Sequence, residues 1–421
     1  METVEIRELV SDDRIKKLGE LACDIATNYP KSYFYNGVEL IFIVDESITR
    51  HCLGGEPQTQ EELNILRRQH LETALICTET AMRLQQIYEP DIVLGQMYVY
   101  SIGGPFYRYF EKIDSCKQIT LNLTGHNYKA FLINESDTYF SNDRFHNYAR
   151  TREKKLLNEE EKNELQKWLD ERFKCNHDFH KIHNCFDDEG NLAKKLNINI
   201  KKHNIFLFSN LFWDAGLNKT GSLFANTIDW VLSTIDLIKN DPNCVLYIKP
   251  HFVEKFGNPS AKGLLDYVYE QYPVLPENII PIPPEMKVHT YKLFPYIDIG
   301  IVFNSTLGVE LLSQDIPVAV VGKSQYSGLN FCYEPSTVEE YKQILKNVNC
   351  DTIHDKDNFE LFCYYYFIKR CIPFNITDTV HSNANFEKYN IDSLDDLLPG
   401  KNYYLDHLCD CIMKDKIPES W

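Results

Sequence analysis

The chain is predicted to fold as an α/β protein in two domains, and three observations carry that expectation. Short apolar runs alternate with helical stretches along most of its length. Polar residues recur at the carboxyl ends of the second-half runs, as they do where parallel strands deliver their ends to one edge of a sheet. Its 421 residues exceed what one simple core accommodates, so two domains of about 200 residues are expected.

In the first half, Leu40–Val44 (LIFIV) reads as a strand followed by Asp45 and Glu46. Gln60 to about Tyr88 reads as a long helix with Leu63, Leu66, Leu71, Leu75, Ala81 and Leu84 on its apolar face. Pro90–Leu94 is a second strand, running into a turn with Gly103 and Gly104 and an aromatic helix. Gln118–Leu123 is a third, ending at Thr124-Gly125-His126, and Phe131–Asn134 is a short apolar run. Thr151 to about Lys174 reads as a charged, solvated helix at the edge of the first domain.

The pattern restarts after a polar segment near 175–203. Asn204–Ser209 is a strand, Thr227–Lys239 an amphipathic helix, Val245–Lys249 a strand and Asn278–Pro281 a short one. The most informative stretch is His289–Tyr333. There the apolar run Ile297–Phe303 leads to Asn304, Ser305, Thr306 and Gly308, then a helix carrying Glu310, then the strand Pro317–Val321. Strand, polar turn, helix and strand make one βαβ unit, and ligands of such sheets sit over the strand ends and helix N-termini. Beyond Tyr341 the tail is helical in pattern and aromatic.

Composition narrows the function. Apolar residues at 43% and charged residues at 25% describe a globular chain rather than a disordered one. Lys and Arg total 44 against 61 Asp and Glu, a net charge of −17 that argues against broad nucleic-acid binding. A few cations in a cleft still suffice for an anionic small molecule. The 13 cysteines are scattered without a framework, the first residues are polar and acidic, and no apolar run approaches a membrane span. A cytoplasmic protein with reduced thiols is the expectation.

Candidate binding groups follow from the strand ends. Asn210 follows the first second-half strand, Lys249 and His251 the next, and Asn304, Ser305 and Thr306 the third. Lys323 and Tyr326 extend the same rim, and Glu310 stands in a first helical turn where a carboxylate can accept from sugar hydroxyls. Lysine, histidine and free backbone N–H groups are donors suited to phosphate. A capped helix and solvated strand exits are the plainer reading of each motif alone, and their convergence favours a nucleotide site. No D-x-D metal motif stands on a strand end, and Asp187-Asp188-Glu189 reads as solvated surface. Cys175, His177, His180, His183 and Cys185 cluster, but their spacing matches no common zinc pattern, so no metal is expected.

The order NLFWDAG (210–216), IKPH (248–251), NSTLGVELLSQDIPVAVVG (304–322) and SQYSGLNF (324–331) resembles bacterial capsule polysaccharide biosynthesis proteins. That family includes the Kdo transferases of capsule assembly and, more broadly, resembles GT-B glycosyltransferases. The resemblance covers about 200–335 well and the first half in outline. One departure is Phe252, where family members often carry a proline.

The resemblance implies two Rossmann-like domains facing across a cleft. They are an acceptor-side domain over 1–195 and a nucleotide-sugar-binding domain over 196–395, with a tail over 396–421 and C-terminal helices crossing back to the first domain. It implies metal-independent transfer of a sugar from a nucleotide-sugar to a surface glycan, with no cofactor and with peripheral association to a membrane glycan-assembly complex. Ser305, Thr306 and Glu310 would hold donor phosphate and ribose, and Lys249 and His251 would meet donor phosphate. Inverting transfer also needs a base for the acceptor proton, for which Asp45, Glu46 and His126 are the candidates. A sugar-nucleotide epimerase or hydrolase, a glycerol-phosphate transferase and a non-catalytic scaffold are the alternatives.

Overall fold

The computed structural model describes residues 3–53, 57, 59–95, 99–123, 130–135, 142–153, 156–174, 192–213, 222–255, 262–286, 288–347, 355–374, 376–379 and 386–414. The chain divides into two compact units. Unit 1 holds Met1–Leu121, Phe212–Gly216 and Glu254–Gly263, and unit 2 holds the remainder.

Unit 1 is mainly helical. It contains α1 (Ile6–Leu9), α2 (Asp12–Thr27), the antiparallel hairpin β1 (Phe34–Tyr35) and β2 (Val38–Glu39), α3 (Ile41–His51), α4 (Gln60–Tyr88) and α5 (Gly103–Phe110). Here β3 (Ile92–Gly95) pairs in parallel with β4 (Lys117–Leu123), Ile92 opposite Lys117. Ser11 caps α2 by accepting from the Arg14 N–H, and Thr59 caps α4 by accepting from the Glu62 N–H. The core joins Leu18, Ala22 and Ile25 of α2, Ile41, Val44 and Ile48 of α3, and Leu66, Leu71 and Leu75 of α4.

Leu40–Val44, expected as a strand, opens α3 instead. A short apolar run has no period of its own, and here Ile41, Val44 and Ile48 recur at helical spacing. Asp45 and Glu46 therefore stand within a helix and not at a strand end.

Unit 2 is built on a five-stranded parallel sheet in the order β10-β9-β6-β7-β8. The strands are β6 (His203–Phe208), β7 (Cys244–Lys249), β8 (Ile279–Pro281), β9 (Ile299–Val302) and β10 (Val318–Val320). Every residue of β6, β7, β9 and β10 is buried, as strands covered on both faces require. Within unit 2, β5 (Ala130–Glu135) pairs antiparallel with β11 (Cys371–Pro373), and β12 (Thr377–Thr379) with β13 (Phe386–Tyr389).

Among the described residues the α-helices of unit 2 are α6 (Asp143–Thr151), α7 (Glu159–Phe173), α8 (Leu192–Lys195), α9 (Thr227–Ile238), α10 (Leu264–Gln271), α11 (Leu307–Leu312), α12 (Val338–Lys346), α13 (Lys356–Tyr364) and α14 (Tyr403–Met413). The main core packs Phe206, Phe208 and Tyr247 with Trp168 and Leu169 of α7 and Phe359 and Phe362 of α13. Phe206 stacks on Tyr247 with ring centroids 4.4 Å apart, and Trp168 stacks on Phe367 at 4.1 Å.

The expectation of a wholly solvated α7 is thus corrected. Leu165, Trp168, Leu169 and Arg172 form an i, i+3, i+4, i+7 stripe that is buried, while the charged residues cover the other face. The α/β class with parallel strands is observed in both units.

Candidate functional site

Register assembles the site at the carboxyl edge of the five-stranded sheet. Lys249 of β7 lies opposite Phe208 of β6, Phe208 opposite Val302 of β9, and Val302 opposite Val320 of β10. Four adjacent strands therefore end in one row. Two residues further along each strand stand His251, Asn210, Asn304 and Gly322. The alignment is tied by a hydrogen bond, Asn210 Nδ2 donating to Asn304 Oδ1 at 3.0 Å.

Lys249 is the unusual member. It is 9% exposed, and no described residue hydrogen-bonds or pairs with its ammonium. Burial brings its pKa down to about 8. A buried cation without a counter-charge is costly, which makes the position one that an anion would relieve. Beside it His251 is half-buried; burial first, and the Lys249 charge second, bring its pKa to about 4, so the imidazole is neutral near pH 7. Its Nδ1 accepts from the Val253 N–H at 3.3 Å.

Other groups at this edge also lack partners. Ser209 Oγ and Asn210 Oδ1 are buried without a hydrogen bond among the described residues. In the turn after β9, the N–H groups of Asn304, Ser305 and Thr306 meet no acceptor among the described residues. The Gly308 N–H differs, donating to the Ser305 carbonyl at 3.1 Å.

Tyr326 is 1% exposed, its hydroxyl donating to the Ser305 carbonyl at 2.8 Å. A Cβ on Gly308 would lie 2.0 Å from that hydroxyl, which is why glycine stands there. Tyr326 therefore shapes the rim from within the core, whereas Lys323 is exposed.

Glu310 turns elsewhere. Its Oε1 accepts from Arg172 Nε at 2.8 Å and Nη2 at 2.6 Å, and its Oε2 accepts from the Tyr291 hydroxyl at 3.0 Å. The ion pair is buried, with side chains 8% and 3% exposed. It ties α11 to α7 and to the 3-10 turn Thr290–Tyr296. Ser209 and Arg172 were both missed in the sequence. Ser209 adjoins Asn210 at a strand exit, and Arg172 completes the apolar stripe of α7, so both carried a signal.

The first-half candidates take separate positions. Asp45 is on the exposed side of α3, its Oδ1 accepting from the Tyr29 hydroxyl at 2.8 Å. Glu46 is 8% exposed within unit 1. His126 and the Cys175–Cys185 segment lie outside the described residues. Among the described residues no group of three or more His, Cys, Asp and Glu is placed to hold a metal. No described helix is long and apolar enough to cross a membrane.

No family model matches the chain, and no curated protein matches it. Among solved structures it is similar to the KpsC β-Kdo 2,7 transferase of Thermosulfurimonas dismutans. The identity is 14%, covering 68% of this chain and 79% of that one, with a TM-score of 0.39. It is also similar to the KpsC β-Kdo 2,4 transferase of the same organism, at 14% identity over 65% and 78% of the two chains, TM-score 0.41. A third likeness is to the S. aureus MnaA–UDP co-structure, at 12% identity over 77% and 88%, TM-score 0.31.

Proposed function

We propose that the protein is a GT-B-type glycosyltransferase that moves a sugar from a nucleotide-sugar donor to a capsule-type polysaccharide. The observation that carries the reading is Lys249: a buried cation with no partner among the described residues, on the row of strand ends where the N–H groups of 304–306 also meet no described acceptor. Breaking a sugar–phosphate bond leaves negative charge on the departing nucleotide. A cation and backbone donors already fixed in place stabilise that charge without reorganising.

In this reading Lys249 and the N–H groups of Ser305 and Thr306 meet the donor phosphate. Ser209, Asn210, Asn304 and the neutral His251 offer further polar contacts to nucleotide or sugar. Lys323 lies on the outer rim, and Tyr326 supports the turn through Ser305. Glu310, with both oxygens engaged, is assigned to holding α11 under the turn rather than to the ribose. Transfer needs no metal in this scheme, because the protein supplies the cation.

The test incubates the purified protein with a panel of nucleotide-sugars, with and without oligosaccharide acceptor, and follows donor, nucleotide and glycan by chromatography. Acceptor-dependent nucleotide release together with an elongated glycan is the expected outcome. An epimerised nucleotide-sugar formed without acceptor would replace transferase by epimerase. Nucleotide binding with no turnover of any donor would leave a non-catalytic binding protein.

A further inference from the structure

Unit 2 holds a second buried cation, outside the row of strand ends. Arg370 is 8% exposed and follows the π-helical turn Tyr365–Lys369, which continues α13. Its own N–H closes that turn, donating to the Tyr365 carbonyl at 2.9 Å. Wide turns of this kind are rare and recur at functional sites. The Arg370 side chain folds back over the turn. Its guanidinium lies 3.4 Å from the centroid of the Tyr366 ring, and Nε donates to the Tyr366 carbonyl at 2.8 Å. Nη1 donates to Gln325 Oε1 at 3.1 Å. Gln325 belongs to the loop that leaves β10 at the carboxyl edge of the five-stranded sheet. Its neighbour Tyr326 holds the Ser305 carbonyl, so one loop touches both Arg370 and the turn after β9.

None of these partners carries a full negative charge, and no described carboxylate pairs with the guanidinium. A lysine in such a place can shed its proton, whereas a guanidinium stays charged at every working pH. A ring face and two carbonyl-type oxygens offset only part of the cost of burying it. Nη2 has no hydrogen-bond partner among the described residues and is not sealed from solvent, so one edge of the guanidinium faces open space. Oxyanions match that edge in charge and in donor geometry.

We propose that Arg370 is an oxyanion-binding residue whose open Nη2 edge takes a phosphate or carboxylate borne by a sugar. It is a second anion position of unit 2, reached from the loop after β10 and not from β7. Tyr366 holds the guanidinium flat, and Gln325 fixes its rotation. The assignment is independent of the transferase reading.

The test titrates the full chain carrying Lys249→Met, so that the first cation does not compete, with glucose 1-phosphate, glucuronate and glucose by calorimetry. At least one of the two anions should bind, and glucose should not. Adding Arg370→Gln should weaken the anion about 10-fold or more. Binding of the phosphate, the carboxylate or both identifies the oxyanion. A measurement that needs no Arg370 variant to fold is nitrogen NMR of the Lys249→Met protein, in which the bound anion should move the Arg370 guanidinium resonances. Four results overturn the assignment: no anion bound, equal affinity after Arg370→Gln, unmoved Arg370 resonances, or glucose bound as tightly as the anions.

Discussion

Glu310 and Lys249 are buried charges of the same unit, and their surroundings are opposite. Glu310 is gripped by the Arg172 guanidinium and by the Tyr291 hydroxyl, whereas Lys249 meets no counter-group among the described residues. The first arrangement satisfies a carboxylate inside the protein and joins three elements. The second leaves a cation that no described residue answers and that an anionic ligand would satisfy. Residue type alone would have assigned both to ligand binding; the satisfied carboxylate reads as architecture and the unsatisfied ammonium as a site.

This contrast can be broken from the Glu310 side with the largest expected effect. Arg172→Met would strand a buried carboxylate and should lower stability by about 3–5 kcal/mol in denaturant melts. The double variant Arg172→Met with Glu310→Met should recover most of that loss, because no charge is left unpaired. A single variant as stable as wild type would mean that the pair does not hold α11.

The turn comes next. Gly308→Ala places a methyl group against the Tyr326 hydroxyl and should destabilise by about 1–3 kcal/mol, read as a lowered melting temperature. An unchanged melting temperature would show that Tyr326 can move away from Ser305.

Lys249 should behave unlike Arg172 at the level of stability. Lys249→Met removes an unpaired charge, so near pH 7 the variant should melt at or above the wild-type temperature. The folded pKa of about 8 lies below the unfolded value of about 10.4, so the folded state binds fewer protons between them. Wild-type stability should therefore rise relative to the variant as pH climbs through that window, closing the gap. The binding counterpart has the opposite sign: wild-type nucleotide affinity should decline as pH rises above about 8, where the free protein's Lys249 loses its charge, and the variant should lack that dependence.

The second-half sheet was legible because its strands are apolar runs bounded by polar exits. Asn204–Ser209, Val245–Lys249 and Ile297–Phe303 correspond to β6, β7 and β9 within two residues at each end. Leu40–Val44 looked the same and became α3, since a run of five apolar residues does not reveal its period without its neighbours. In α7 the dense charge concealed a buried stripe of four residues, Leu165, Trp168, Leu169 and Arg172. The strand-end residues of the candidate site could be picked out for the same reason as the strands. What sequence did not reveal was pairing: that Glu310 meets a residue 138 positions away, and that His70 meets Ser101, 31 positions away. Such partners depend on packing between elements, which local spacing does not encode.

The most direct test of the central claim is calorimetric titration of wild type and Lys249→Met with CMP, CDP, UDP and GDP near pH 7. The account predicts that at least one nucleotide binds the wild type and that the variant loses about 2 kcal/mol or more of that binding, roughly 30-fold in affinity, while remaining fully folded. Equal affinity in the two proteins, or no nucleotide bound by either, would contradict it.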